Sequence, residues 1–160
     1  MTEGQKVLMA EARARVWSVP MVRLYRQDPG LALSLFCRLM RVRLSLSLKD
    51  FAAVQSEIEA RSGQPDTARV PEREELERAA RAGRIANSLG RRLPFGLSCL
   101  VRSYAVWWWA RDRGLPAEMR IGVAKEGDFS AHAWVELYGH PLTDSEDGVA
   151  IFQTFDRTVL

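Results

Sequence analysis

The chain has 160 residues, enough to bury a core and matching the size of one domain. Its composition, 47% hydrophobic and 27% charged, is that of a soluble globular protein. Two cysteines, Cys37 and Cys99, are too few for a disulfide scaffold and point to a reducing, cytoplasmic setting.

The net charge of +3 divides unevenly, with 17 basic and 11 acidic side chains in residues 1–98 against 6 and 9 in residues 99–160. Solvated amphipathic helices account for the basic half more simply than nucleic acid does, because no aromatic-interleaved basic strand or zinc-type spacing occurs. The first residues, Met1-Thr-Glu-Gly-Gln-Lys6, lack the basic-then-apolar order of a secretory signal. The most apolar stretch, Leu31 to Leu48, is broken by Arg38, Arg41 and Arg43, so no membrane span is expected.

The first half reads as helical. Val7–Val16 and Met21–Gln27 form short helices separated near Pro20. Asp28-Pro29-Gly30 is a turn in which Asp28 caps the next helix and Pro29 takes its first position. Leu31, Leu35, Phe36, Leu39 and Val42 then recur at helical spacing, with Cys37 expected inside this apolar helix as a small buried hydrophobe. Lys49–Ala60 continues as a helix with Phe51, Val54 and Ile58 on one face. Ser62–Arg69 is loop-like, and Glu72–Leu89 is a helix that stops at Gly90.

Cys99 opens the next helix, Leu100 through Arg113, which ends at Gly114. Successive helical residues lie about 100° apart, so Trp107, Trp108 and Trp109 cannot share one face, and at least one indole must be exposed or docked on another element. The period then changes to two: Met119–Ala124 is a strand, Lys125–Asp128 a turn and Ala131–Leu137 a second strand. Tyr138–Pro141 is a tight turn, Leu142–Asp144 begins a third extended piece, and Val149–Phe155 forms the last strand. Helices followed by an antiparallel meander define an α+β fold, with the Cys-bearing helix packed on a small sheet. Residues 1–90 are expected to be a helical region of the same compact unit as a core spanning 91–160.

A nucleophilic cysteine needs a lowered thiol pKa, a base, a group to orient the base and donors for an oxyanion. Cys99 at a helix start gains from unpaired backbone N–H groups and the positive end of the helix dipole, and its own N–H is an expected oxyanion donor. His132 stands on the second strand between Ala131 and Ala133, whose small side chains leave space. Asp144 follows a turn that returns it beside His132, and strand neighbours lie roughly 5 Å apart. Asp147 and Asp156 compete for that role but fit the strands less well. Arg102, one turn into the helix, is a candidate carboxylate ligand or support. Trp134 and Glu136 are candidate supporting or substrate-contacting residues, Glu136 sharing the face of His132. His140, in a turn beside Pro141, reads as structural, and one cysteine with two separated histidines makes no metal ligand set.

The Cys99-Leu-Val-Arg102 run, the Gly114 helix end, the Ile121-Gly-Val123 strand, Ala131-His-Ala-Trp-Val-Glu136 and Gly139-His-Pro-Leu-Thr-Asp144 resemble the leader peptidase of bacterial lasso-peptide biosynthesis. That family belongs to the transglutaminase-like, papain-related cysteine enzymes, and the likeness covers roughly residues 90–145. It implies a Cys-His-Asp triad on Cys99, His132 and Asp144, and cleavage of a leader from a ribosomally made precursor peptide without a cofactor. It also implies partners: a small separate leader-recognition protein, since no three-stranded recognition module is legible at the N-terminus, and an ATP-dependent macrolactam cyclase. The basic N-terminal half is then an expected docking or leader-contact surface. A transglutaminase-like acyl transferase and a non-catalytic peptide-binding module are the alternatives.

Overall fold

Local side-chain caps mark the helix starts. In the computed structural model, which describes residues 2–62, 65, 70–124 and 130–154, Thr2 and Gln5 form a reciprocal capping box on α1 (Glu3–Trp17). After α2 (Met21–Gln27), Asp28 accepts from the Leu31 N–H at 2.9 Å and Pro29 opens α3 (Pro29–Leu48), as the Asp-Pro-Gly turn predicts. Asp50 caps α4 (Phe51–Arg61) through the Ala53 N–H at 2.8 Å. The long α5 spans Arg73–Arg92, and Ser98 caps α6 (Cys99–Arg111) through the Val101 N–H at 3.3 Å.

The remaining elements are β1 (Ala117–Ala124), β2 (Ala131–Leu137), β3 (His140–Pro141), α7 (Glu146–Ala150) and β4 (Phe152–Thr154). The strands form one antiparallel sheet in the order β3-β2-β1-β4. The chain is therefore helix-rich α+β. Among the described residues, no helix is long and apolar enough to cross a membrane.

Helix α5 is the hub, packing against α1, α2, α3 and α6. Its buried face is made of small residues, Ala79, Ala80, Ala82, Gly83 and Ala86, with Leu76 and Ile85 among them, and small side chains let neighbouring backbones come close. The helix passes through Gly90 rather than stopping there. A Cβ at Gly90 would lie 2.6 Å from Arg102 Cδ, so the missing side chain makes room for the Arg102 stem.

The apolar stripe of α3 is buried at Leu31, Leu35, Leu39 and Val42, but Phe36 is 38% exposed and Cys37 is exposed as well. The expectation of a buried Cys37 is thus corrected. At about 100° per residue, position 37 lies roughly 200° from Leu35, on the opposite side of the helix. The tryptophan triplet divides as its angular spacing requires. Trp107 and Trp109 are buried, while Trp108 is half-buried beneath Arg38 and Arg41, whose guanidinium carbons sit 5.2 and 5.3 Å from its ring.

Two readings of the last third are revised. The β2–β3 turn narrows to Tyr138 and Gly139, with φ of 53° and 80°, the pattern of a two-residue hairpin turn. Residues Leu142–Asp144 leave the sheet after one further bond, from the Leu142 N–H to the Val135 carbonyl at 2.7 Å. The strand expected from Val149 begins only at Phe152, because Ser145 caps a preceding helical turn through the Gly148 N–H at 3.0 Å, and Phe155 lies outside the described residues. A serine cap followed by Glu146 and Asp147 is a helix-start signal that outweighs the strand propensity of the valine and isoleucine beyond it. The expected turn at Lys125–Asp128, most of the 62–69 loop, and Asp156 lie outside the described residues.

Candidate active site

Cys99 is the first residue of α6 and is half-buried. There, backbone N–H groups without helical partners point toward its side chain. The strand β2 runs alongside, tied to α6 by Ser103, whose hydroxyl donates to the Ala133 carbonyl at 2.9 Å. This tie sits between the two positions that matter, one turn past Cys99 and one residue past His132. His132 Nε2 meets Asp144 Oδ1 at 3.2 Å, with both side chains 18% exposed. With Nε2 so engaged, Nδ1 is the ring nitrogen left for Cys99, whose thiol pKa the His132 side chain lowers. The backbone N–H groups of Ala133 and Leu100 also lower the thiol's pKa. Cysteine, histidine and aspartate thus lie in a row.

The electrostatics follow from these contacts. The hydrogen bond from His132 holds the Cys99 thiol below the ordinary thiol range; burial opposes this, and the two backbone donors assist it. Hydrogen bonds first to Asp144 and then to Cys99 push His132 up to about 9. Burial works against ionised Asp144, but its bonds from His132 and the Thr143 hydroxyl hold it below the usual carboxylate range. Both partners are shifted toward their charged forms, a thiolate beside an imidazolium, with the carboxylate behind the ring.

The row rests on an aromatic stack. The His132 ring lies 6.0 Å from Trp134 at 18° and 5.1 Å from Phe152 at 27°. Trp134 is 1% exposed and donates its indole N–H to Glu136 at 2.8 Å; the other Glu136 oxygen accepts from Arg120 at 3.0 Å. The structure therefore sets Trp134 beneath the histidine as support and commits Glu136 to the far end of the same strand face, away from the thiol. Arg102 is half-buried, feels the charges of both Cys99 and Asp144, and among the described residues nothing accepts from its Nε. Asp147 lies on α7, outside the row. His140 pairs its Nδ1 with Glu146 at 2.8 Å.

Several residues that position Asp144 were not legible in the sequence. Thr143 accepts from the Val135 N–H at 3.2 Å through the same hydroxyl that bonds Asp144, fastening the carboxylate to β2. Arg13 of α1, only 8% exposed, donates to the Pro141 carbonyl at 2.5 Å and to the Asp144 carbonyl, and pairs with Glu146 at 3.3 Å. On α5, Asn87 donates to the Thr143 carbonyl. Gly83 of the same helix lies so close to the Leu142 carbonyl that a Cβ there would collide with backbone. The acid-bearing loop is thus clamped by helices α1 and α5. Arg13 is more than a hundred residues from that loop in sequence, so no local pattern could have announced it.

The chain matches the family model of the transglutaminase-like superfamily over residues 38–156. It belongs to that superfamily, which includes cysteine proteases and acyltransferases. No curated protein and no solved structure gives a significant match.

Proposed function

We propose that this protein is a cysteine endopeptidase that removes the leader from a ribosomally made lasso-peptide precursor. The observation that carries the catalytic part is His132 bridging the thiol of Cys99 and the carboxylate of Asp144, with the thiol at a helix N-terminus. The precursor class rests on the resemblance of the motifs around Cys99, His132 and Asp144 to the leader peptidases.

In this reading the Cys99 thiolate attacks the scissile carbonyl carbon and the carbonyl oxygen becomes an oxyanion. The Cys99 N–H, free of helical bonding at the first turn, faces the developing charge. The imidazolium of His132 gives its proton to the leaving amine as the C–N bond breaks, which releases the core peptide with a free N-terminus and leaves the leader as a thioester on Cys99. His132, now neutral, takes a proton from water, the hydroxide adds to the thioester, and the C–S bond breaks to restore the thiolate beside the imidazolium; the leader leaves as a carboxylic acid that gives its proton to solvent. Asp144 keeps Nε2 protonated and the ring aimed, and Trp134 and Phe152 fix its plane. The reaction needs no cofactor. The released amine is the substrate for a separate ATP-dependent cyclase, and a small leader-binding protein delivers the precursor. We place the reaction in the cytoplasm, where a free Cys99 stays reduced.

The superfamily's acyltransferases make an amine acceptor the second reading, since transfer and hydrolysis share the thioester and differ only in what resolves it. The test is mass spectrometry of a lasso-type precursor peptide incubated with the protein, with and without a leader-binding protein. Cleavage at one bond, lost in Cys99→Ala, supports the peptidase; cleavage retained in Cys99→Ala overturns it. An amide product formed with added amine in place of a free carboxylate assigns the acyl transferase.

A further inference from the structure

Beside the Asp144 end of the row lies a cleft of about 490 Å³. The last turns of α5 line one side, Thr143, Asp144, Ser145 and Gly148 line the other, and Trp17 is also in the lining. Three arginines line it, and they are not equivalent. Arg84 is spent on structure: it donates to the Val16 and Val19 carbonyls at 2.6 and 2.7 Å and lies over Trp17. Arg91 and Arg92 are exposed on the final turn of α5, and among the described residues neither has an acidic partner.

Several other arginines of the helical half have acidic partners, although Arg23, Arg26, Arg43 and Arg81 have no ion pair among the described residues. Arg15 and Arg73 meet Glu77, Arg38 meets Asp112, Arg41 and Arg61 meet Glu57, and Arg78 meets Asp28. Cations at the end of a helix are favoured by its dipole. The dipole alone does not account for two unmatched guanidiniums bordering a cleft, backed by a third, Arg102, near enough to Arg91 for their charges to interact. Of the residues that line the cleft from the opposite side, the carboxylate is Asp144, which is already engaged by His132 and Thr143; Glu146 and Asp147 of the same stretch are not in the lining. The cleft therefore has cationic donors in excess, and planar guanidiniums take carboxylates through paired hydrogen bonds.

We infer that this cleft binds an acidic side chain of the polypeptide substrate, making a glutamate or aspartate near the cleaved bond a determinant of recognition. This rests on the peptidase reading, and the experiment separates the two by measuring binding without turnover. The full chain carrying Cys99→Ala is titrated against a short fluorescein-labelled Glu/Gly peptide and its Gln/Gly counterpart, with anisotropy as the readout. The Glu peptide should bind about 10-fold more tightly, with a preference that weakens as salt is raised. Arg91→Glu/Arg92→Glu should erase the preference and Arg91→Gln/Arg92→Gln should reduce it. Lys6→Glu/Lys49→Glu, the same change in net charge on α1 and beyond α3, should leave it intact, and circular dichroism checks that each variant is folded.

No preference for the Glu peptide overturns the inference, as does an equal loss in the lysine and arginine variants. Displacement of the peptide by inorganic phosphate at equal concentration also overturns it, assigning the cleft to phosphate instead. Intact binding by a protein that cleaves no precursor would sink the peptidase reading while leaving the acidic-peptide cleft standing.

Discussion

Two histidine–carboxylate pairs lie a few residues apart in this chain. His132 and Asp144 are joined at 3.2 Å with both side chains 18% exposed; His140 and Glu146 are joined at 2.8 Å, with Glu146 58% exposed. The shorter contact belongs to the less consequential pair. What separates them is surroundings. His132 has a thiol on its other nitrogen, a tryptophan and a phenylalanine against its ring, and a carboxylate held from behind by Thr143. Glu146 is wet, and a wet ion pair gains little from its Coulomb energy. A histidine beside an acid is common; a histidine set between an acid and a thiol is what the proposed mechanism uses.

The sharpest way to break the comparison is to remove each histidine in turn. His132→Ala, like Cys99→Ala, should lower single-turnover cleavage by on the order of 10³-fold or more, whereas His140→Ala should stay within about 3-fold. Comparable losses in both histidine variants would put the chemistry elsewhere. The carboxylates come next. Asp144→Asn should cost on the order of 10²-fold in kcat by leaving the ring unoriented, while Glu146→Gln changes turnover little.

The pH dependence sharpens the contrast further. Iodoacetamide should alkylate Cys99 faster at neutral pH than a free thiol, and His132→Ala should remove that advantage, because the His132 hydrogen bond is the chief cause of the lowered thiol pKa. Cleavage should fall as pH rises past about 9, where the imidazolium loses its proton. The same shift has a stability sign. Because folded His132 titrates above its ordinary value of 6.5, its contribution is fully present below that pH and lost as pH rises through about 9. The Tm gap between the wild type and His132→Ala should therefore narrow between neutral and alkaline pH, and a gap that widens would contradict it.

An effect on chemistry smaller than that of the row itself, joined to one on folding, belongs to Arg13. Arg13→Ala leaves the Pro141 and Asp144 carbonyls without their donor and should cost about 1–3 kcal/mol in denaturant unfolding. It should lower kcat more than it raises KM, with Arg13→Lys recovering part of the loss.

What the sequence disclosed was local. A serine before Cys99 caps a helix within three residues, alternation around His132 is a strand signal within seven, and Gly139 turns the hairpin that brings Asp144 back. These features use neighbours in the chain, and the α+β order could be read from them. Cys37 was misplaced because its helix is apolar on average, while burial depends on angle around the axis. Residues 149–151 were misread because Val149 and Ile151 spoke more loudly than the cap at Ser145. Arg13, Asn87 and Gly83 stayed hidden for a different reason: they act on a loop that only tertiary packing brings to them.

Gly83 carries a consequence for how such a protein can change. Its bare α-carbon and the Leu142 carbonyl occupy one shared volume, so the two positions are not free to drift separately. A descendant that gains a methyl at 83 must also reroute the acid-bearing loop, by an insertion, a deletion or a new turn between Pro141 and Ser145. One that keeps the glycine can vary widely on the outer face of α5 without disturbing the acid. The inheritance of the aspartate's position is thus written partly in a helix sixty residues upstream, at a place that carries no side chain at all.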